Sequence, residues 1–182
     1  ELELSGILTG QEQIDWENIK GEIEVLYSSI PNITLDLYEM NVNKDDILNF
    51  NKEYDNLIKV SQNENKQEFL DALNVLYGYI PGFFSNLTDD EDYKTVIEAK
   101  KYVLTAYSKL DQENWQEINT NISKAIEVYS KLVTNTNMDT GKQLAVNKGY
   151  IILNEMQNAV NINDRSVFLI KYKNLLEELK NI

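Results

Sequence analysis

Apolar residues recur at steps of three and four along most of the chain. The first series runs Trp16, Ile19, Ile23, Leu26/Tyr27, Ile30, Ile33 and Leu37, one face of a helix. A second carries Ile47, Phe50, Tyr54 and Leu57/Ile58, and a third Phe69, Leu73, Leu76/Tyr77, Ile80, Phe84 and Leu87. The fourth holds Tyr93, Val96/Ile97, Val103/Leu104, Tyr107 and Leu110; the fifth holds Trp115, Ile118, Ile122, Ala125/Ile126, Tyr129 and Leu132/Val133. A sixth places Leu144, Lys148, Ile151/Ile152, Met156 and Ala159 on one face, and a seventh Phe168, Tyr172, Leu175/Leu176 and Leu179. No segment sustains a period of two, so no sheet is expected. Asp15, Asn43 or Asp45, and Asp164 stand where N-caps belong. The pattern predicts an all-α fold of about seven antiparallel helices, packed as hairpins into a bundle or a short superhelix. Residues 14–182 form a single helical domain in this reading. Residues 1–13, mixed in character and broken by Gly6 and Gly10, read as a leader or tether.

One string is nearly doubled. EVLYSSIPNITLDL begins at Glu24 and NVLYGYIPGFFSNL at Asn74, fifty positions later. The copies fall at the same depth in the first and third helices, and each contains a proline. Proline removes a backbone donor and crowds the preceding turn, which predicts a kink or break at both Pro31 and Pro81. Trp16 and Trp115 are each followed by Ile at +3 and +7. Units starting near residues 15, 65 and 112 would therefore form an array of helical hairpins.

Composition narrows the chemistry. With 7 Gly and 2 Pro in 182 residues, the turns of an all-β fold have few residues to build them. The net charge of −13 repels phosphate backbones and anionic lipid surfaces, so no nucleic-acid partner is expected. The sequence contains neither Cys nor His, which removes thiol nucleophiles, Cys/His zinc sites and His-based triads. No apolar run approaches the ~20 residues that span a bilayer. No cofactor motif is present. NTNMDTG, from Asn135, comes near a calcium loop, with oxygen ligands at Asn135, Asn137 and Asp139. Thr140 stands where that loop needs Gly, however, and Val146 where it needs a bidentate Glu, so the match fails. The carboxylates of TDDEDY, from Thr88, read as a dipole-favoured helix start. Asp36 and Glu155 sit beside apolar neighbours and are candidates to turn inward; a contact from Glu155 to Arg165 or Lys171 would pin the last two helices together. No carboxylate pair stands out, so no catalytic or metal residue is assigned.

The aromatic residues are the richest surface, with 11 Tyr, 5 Phe and 2 Trp. Tyr77, Tyr79, Phe83 and Phe84 crowd around Pro81, and Tyr27 is the counterpart of Tyr77 in the first copy. Tyr77 and Phe84 share a face while Tyr79 and Phe83 point elsewhere, so this helix is apolar on more than one side. Either both sides are buried between neighbours, or one lines a groove for an apolar ligand or a partner helix. Tyr27, Tyr77, Tyr79 and Phe83 are the candidate groove residues.

The order DW-x-x-IK-x-x-IE-x-LY in the first helix, NVNKDDILNFNKEYDNL in the second, LYGYIP in the third and VFLIKYKNLLEEL at the end resembles uncharacterised helical lipoproteins of clostridia and related Firmicutes. The resemblance covers residues 15–182 and rests mainly on packing positions. It implies export, cleavage before a lipid-modified Cys and attachment to the outer face of the cytoplasmic membrane, with an envelope ligand or protein partner. It carries over no activity and no catalytic residue. The expected function is thus a non-enzymatic binding or scaffold module of the cell envelope, the alternative being a cytosolic protein–protein adaptor. An enzyme working with carboxylates alone would need a cleft with two inward-facing Asp or Glu.

Overall fold

The computed structural model describes Ile7, Leu8, residues 14–135 and residues 137–182. The expected leader lies outside the described residues apart from Ile7 and Leu8, and Ile7 is fully buried. The fold is all-α. Eight α-helices and a closing 3₁₀ turn are present among the described residues: α1 (Trp16–Glu39), α2 (Lys44–Ser61), α3 (Lys66–Tyr77), α4 (Ile80–Leu87), α5 (Glu91–Ser108), α6 (Trp115–Val133), α7 (Thr140–Asn161), α8 (Arg165–Glu178) and Leu179–Asn181. They gather into two compact units, residues 1–89 and 90–182. The boundary falls inside the second of the expected fifty-residue repeats.

Polar side chains start nearly every helix. Asp15, Asn43, Asn65, Asp90, Asn114, Asp139 and Asp164 each accept a hydrogen bond from a backbone N–H of the first turn. These are donors that the helix itself leaves unpaired. Asn41 and Asn163, at φ 58° and 53°, turn the chain out of α1 and α7 in the left-handed region, which asparagine tolerates well.

In the first unit, α1 and α2 form an antiparallel hairpin. The Tyr54 hydroxyl donates to the Ile23 carbonyl at 2.8 Å, and Thr34 pairs with Asn51 further along the same seam. Lys20 meets Glu64 at the open end of the hairpin, 2.7 Å apart. α3 packs on α2, and the Trp16 and Phe69 rings meet edge to face with centroids 5.7 Å apart.

The two prolines have different fates. α1 passes through Pro31 as one helix. Pro31 and Tyr27, whose carbonyl loses its helical donor, both lie on the exposed side of α1, where water takes the donor's place. At Pro81 the expected third helix divides into α3 and α4. Here Gly78 and Gly82 replace Ser28 and Asn32 of the first copy, and each glycine costs a helix about 1 kcal/mol relative to alanine. The chain tightens at that point, with the Tyr79 N–H reaching the Leu76 carbonyl three residues back. Pro81 then sits in the first turn of α4, where its missing donor costs little. The tightened turn shifts the helical phase. Phe83 becomes the buried ring of α4, while Leu87, expected on the inner face, is exposed.

The second unit is a four-helix bundle, each helix antiparallel to its neighbours. Asn135 after α6 bonds Asp92 at the start of α5. Gln157 of α7 reaches Ser123 and Asn119 of α6. Lys171 of α8 pairs with Glu155 of α7 at 2.7 Å, as the spacing suggested. Arg165 does not join them; it pairs with Asp111 instead and ties the start of α8 to the end of α5. The rings of Tyr107 and Tyr172 stack face to face, centroids 4.4 Å apart and 8° from parallel, and close the bundle.

α7 buries Met156 and Ala159 as expected, but its first half presents a different face. Leu144 and Ile151 are exposed, and Ala145, Val146, Gly149 and Leu153 are buried in their place. The fully buried Tyr129 explains the choice. A Cβ on Gly149 would lie 2.1 Å from the Tyr129 hydroxyl oxygen and 2.8 Å from its ring carbon Cζ. Only the small-residue side of α7 can lie against that phenol. Gly149→Ala is therefore expected to lower stability by about 1–3 kcal/mol through overpacking. Gly21→Ala, on the exposed side of α1 with nothing near its absent Cβ, should raise stability by about 0.5–1 kcal/mol. Urea unfolding of the two variants checks both signs.

Candidate functional site

α1, α2 and α4 bring five rings of the first unit into one ladder. Tyr27 stacks on Tyr54 with centroids 6.1 Å apart and planes 19° apart. Tyr54 leans on Phe50 at 6.5 Å. Phe50 meets Phe83 edge to face at 5.3 Å and Tyr79 likewise at 6.1 Å. Tyr79 and Phe83 are themselves stacked at 6.1 Å. The middle of the ladder is dry: Phe50, Tyr54 and Phe83 are buried, while Tyr79 is half-buried and Tyr27 half-exposed.

Each end of the ladder opens into a shallow groove. Tyr27 lines a groove of 380 Å³ with Glu24, Asp55, Ile58 and Lys59. Tyr79 and Phe83 line another of 470 Å³ with Val42, Asn43, Asp46, Ser85 and Asn86 around the backbone of Gly78 and Gly82. Of the four residues expected to share a groove, Tyr79 and Phe83 do so, and Tyr27 lies at the other one. Tyr77 is half-buried and lines neither. Phe50 and Tyr54 connect the grooves. Their spacing marked them as core residues of α2, but it carried no sign that they would meet Tyr27 on one side and Phe83 on the other.

Tyr54 gives the ladder its fixed point. Its hydroxyl is held by the Ile23 carbonyl, and burial pushes its pKa from the usual 10 up to about 12, because a buried phenolate loses its hydration. In the other unit, burial and, secondarily, Glu178 push the Tyr129 phenol up as well.

Charge is divided unevenly between the units. Residues 1–89 hold 17 acidic and 5 basic side chains, a net −12; residues 90–182 hold 13 and 12, a net −1. Nearly all the acidity of the chain thus belongs to the unit that carries the grooves. From Gly21 to Asn43 there are four acidic side chains and no basic one.

The acidic motifs are occupied with structure. Asp90 caps α5, and Asp92 takes Asn135 and, at 3.6 Å, Lys142. Asp139 caps α7 by accepting from the N–H groups of Gly141 and Lys142 through one carboxylate oxygen. Asp36 is exposed, and Glu155 is half-buried against Lys171. No group of three or more acidic side chains is placed to hold a metal among the described residues.

Tyr54→Phe keeps the ring and removes the hydroxyl. It is expected to cost about 0.5–1.5 kcal/mol and to change the alkaline limb of stability. The folded state holds the Tyr54 proton more tightly than the unfolded chain. That contribution is complete below pH 10 and is lost as the pH climbs towards 12. Urea midpoints measured across this window should fall more steeply for the native protein than for the Phe variant.

No family model matches the chain, and no curated protein or solved structure matches it either.

Proposed function

We propose that this chain is a non-enzymatic binding or scaffold module, held at the outer face of the bacterial cytoplasmic membrane by a lipid anchor on a preceding cysteine. The observation that carries the binding part is the five-ring ladder. Its buried centre fixes two outer rings, Tyr27 and Tyr79, at the mouths of open grooves. Rigid, amphipathic tyrosines with their supporting rings already in place present contact area at low entropic cost. The carboxylates lining the grooves, Glu24, Asp46 and Asp55, are all exposed. General acid–base work favours a sheltered pair whose environments differ, so their setting suits recognition better than catalysis. The resemblance of residues 15–182 to clostridial lipoproteins supports the location, and the acidity of the chain makes direct adsorption to anionic lipid unfavourable.

A photo-cross-linking residue placed at Tyr27 or Tyr79 in the native cell tests the binding part. A discrete adduct is expected from one or both, and none from the same probe at the exposed Glu127 of α6; equal yields from all three would contradict it. Intact-mass analysis of the protein from its own cells tests the location. A diacylglyceryl-modified cysteine ahead of Glu1 is expected, whereas an unmodified chain recovered from cytosol would contradict the anchor and favour an adaptor.

A further inference from the structure

The outward side of α1 is apolar where a solvated helix would be polar. Tyr27, Pro31, Leu35 and Tyr38 follow one another at steps of four, four and three, one stripe of the helix surface. All four are exposed, Tyr27 by 50% and Leu35 by 58%. The stripe is continuous with the Tyr27 groove, where Ile58 of α2 adds apolar surface. The buried face of α1, built on Ile19, Ile23, Ile30 and Leu37, lies on another side of the helix, so the stripe is not core that the hairpin has left unfilled.

Its frame is acidic. Glu24 and Asp55 stand at the groove with a single cation, Lys59. Asp36 and Glu39 are exposed on the same helix, and no basic residue occurs between Gly21 and Asn43. The unit as a whole carries −12. An apolar strip inside a field of one sign selects a partner whose apolar face is rimmed with the other sign. Tyr27 adds a ring that receives cations: one of its faces is taken by Tyr54, and the ring is half-exposed beside two carboxylates, the setting in which a Lys or Arg head is held by charge and by the ring together. A second copy of this unit would bring like charge to the same surface.

We propose that this face of α1, with the Tyr27 groove, docks a basic amphipathic segment of a partner protein, its apolar side on Leu35 and Tyr38 and a Lys or Arg at Tyr27, Glu24 and Asp55. This deepens the binding-module reading and rests on it.

The test uses the full chain and a fluorescein-labelled peptide patterned as an amphipathic helix of Leu and Lys, with a Leu/Glu peptide of the same pattern as control. Anisotropy should show binding of the first and none of the second. E24Q/D55N and L35S/Y38S, all at exposed positions, should each weaken binding by about tenfold or more. E53Q/D89N, the same change of charge elsewhere in the unit, should weaken it by less than about twofold. Circular dichroism checks that every variant keeps its helix content. Equal losses in E24Q/D55N and E53Q/D89N would reduce the effect to net charge and overturn the proposal. So would binding untouched by L35S/Y38S but displaced by spermine, the mark of a small polycation site. Sedimentation showing a peptide-free dimer abolished by L35S/Y38S would also overturn it, making a second copy the occupant. Cross-links from Tyr79 that persist when the α1 face fails these tests would leave the broader binding reading intact.

Discussion

The acidic unit depends on one buried phenol. Tyr54 projects from α2 towards α1, donates a hydrogen bond to the Ile23 carbonyl and carries Tyr27 on one side and Phe50 on the other. That bond spares the hydroxyl the cost of being buried unpaired. The same hairpin is tied a second time by Thr34 and Asn51. Tyr54, held by its bond to Ile23, gives the half-exposed Tyr27 ring a fixed support.

The second unit makes room for a buried phenol with a glycine. Tyr129 is fully buried, and Gly149 supplies the room that its hydroxyl end occupies. The choice of inner face on α7 follows from this fit, and it turns Leu144 and Ile151 outward. This unit has a net charge of −1 and four helices packed in sequence. The 1–89 unit differs in both respects, carrying a net −12 and two open grooves.

Much of the fold was legible from particular residues. Asp15, Asn43 and Asp164 announced helix starts because a capping side chain leaves a local signature. The hairpins followed from short polar interruptions, and the Glu155–Lys171 pair from spacing. What failed to show was helical phase wherever it depended on remote fit. The doubled string suggested equivalent copies, yet two glycines around Pro81 divide the second one and bring Phe83 inward. On α7 Met156 and Ala159 are core as their spacing indicates, but Leu144 and Ile151 give way to Ala145 and Gly149, a choice that follows from Tyr129 on another helix. The grooves were only half legible for the same reason. Tyr79 and Phe83 stand out by their crowding around Pro81 and Tyr27 as the counterpart of Tyr77, but their separation into two grooves joined through Phe50 and Tyr54 is a tertiary fact.

The central claim is that recognition is confined to the aromatic, acidic face of residues 1–89. Amide chemical-shift mapping of the full chain during titration with the Leu/Lys peptide tests it most directly. The account predicts shifts concentrated between Glu24 and Tyr38 and between Asp55 and Lys59, with the α5–α8 bundle unmoved. Shifts spread across all the acidic surfaces, or centred on the exposed side of α7, would contradict it.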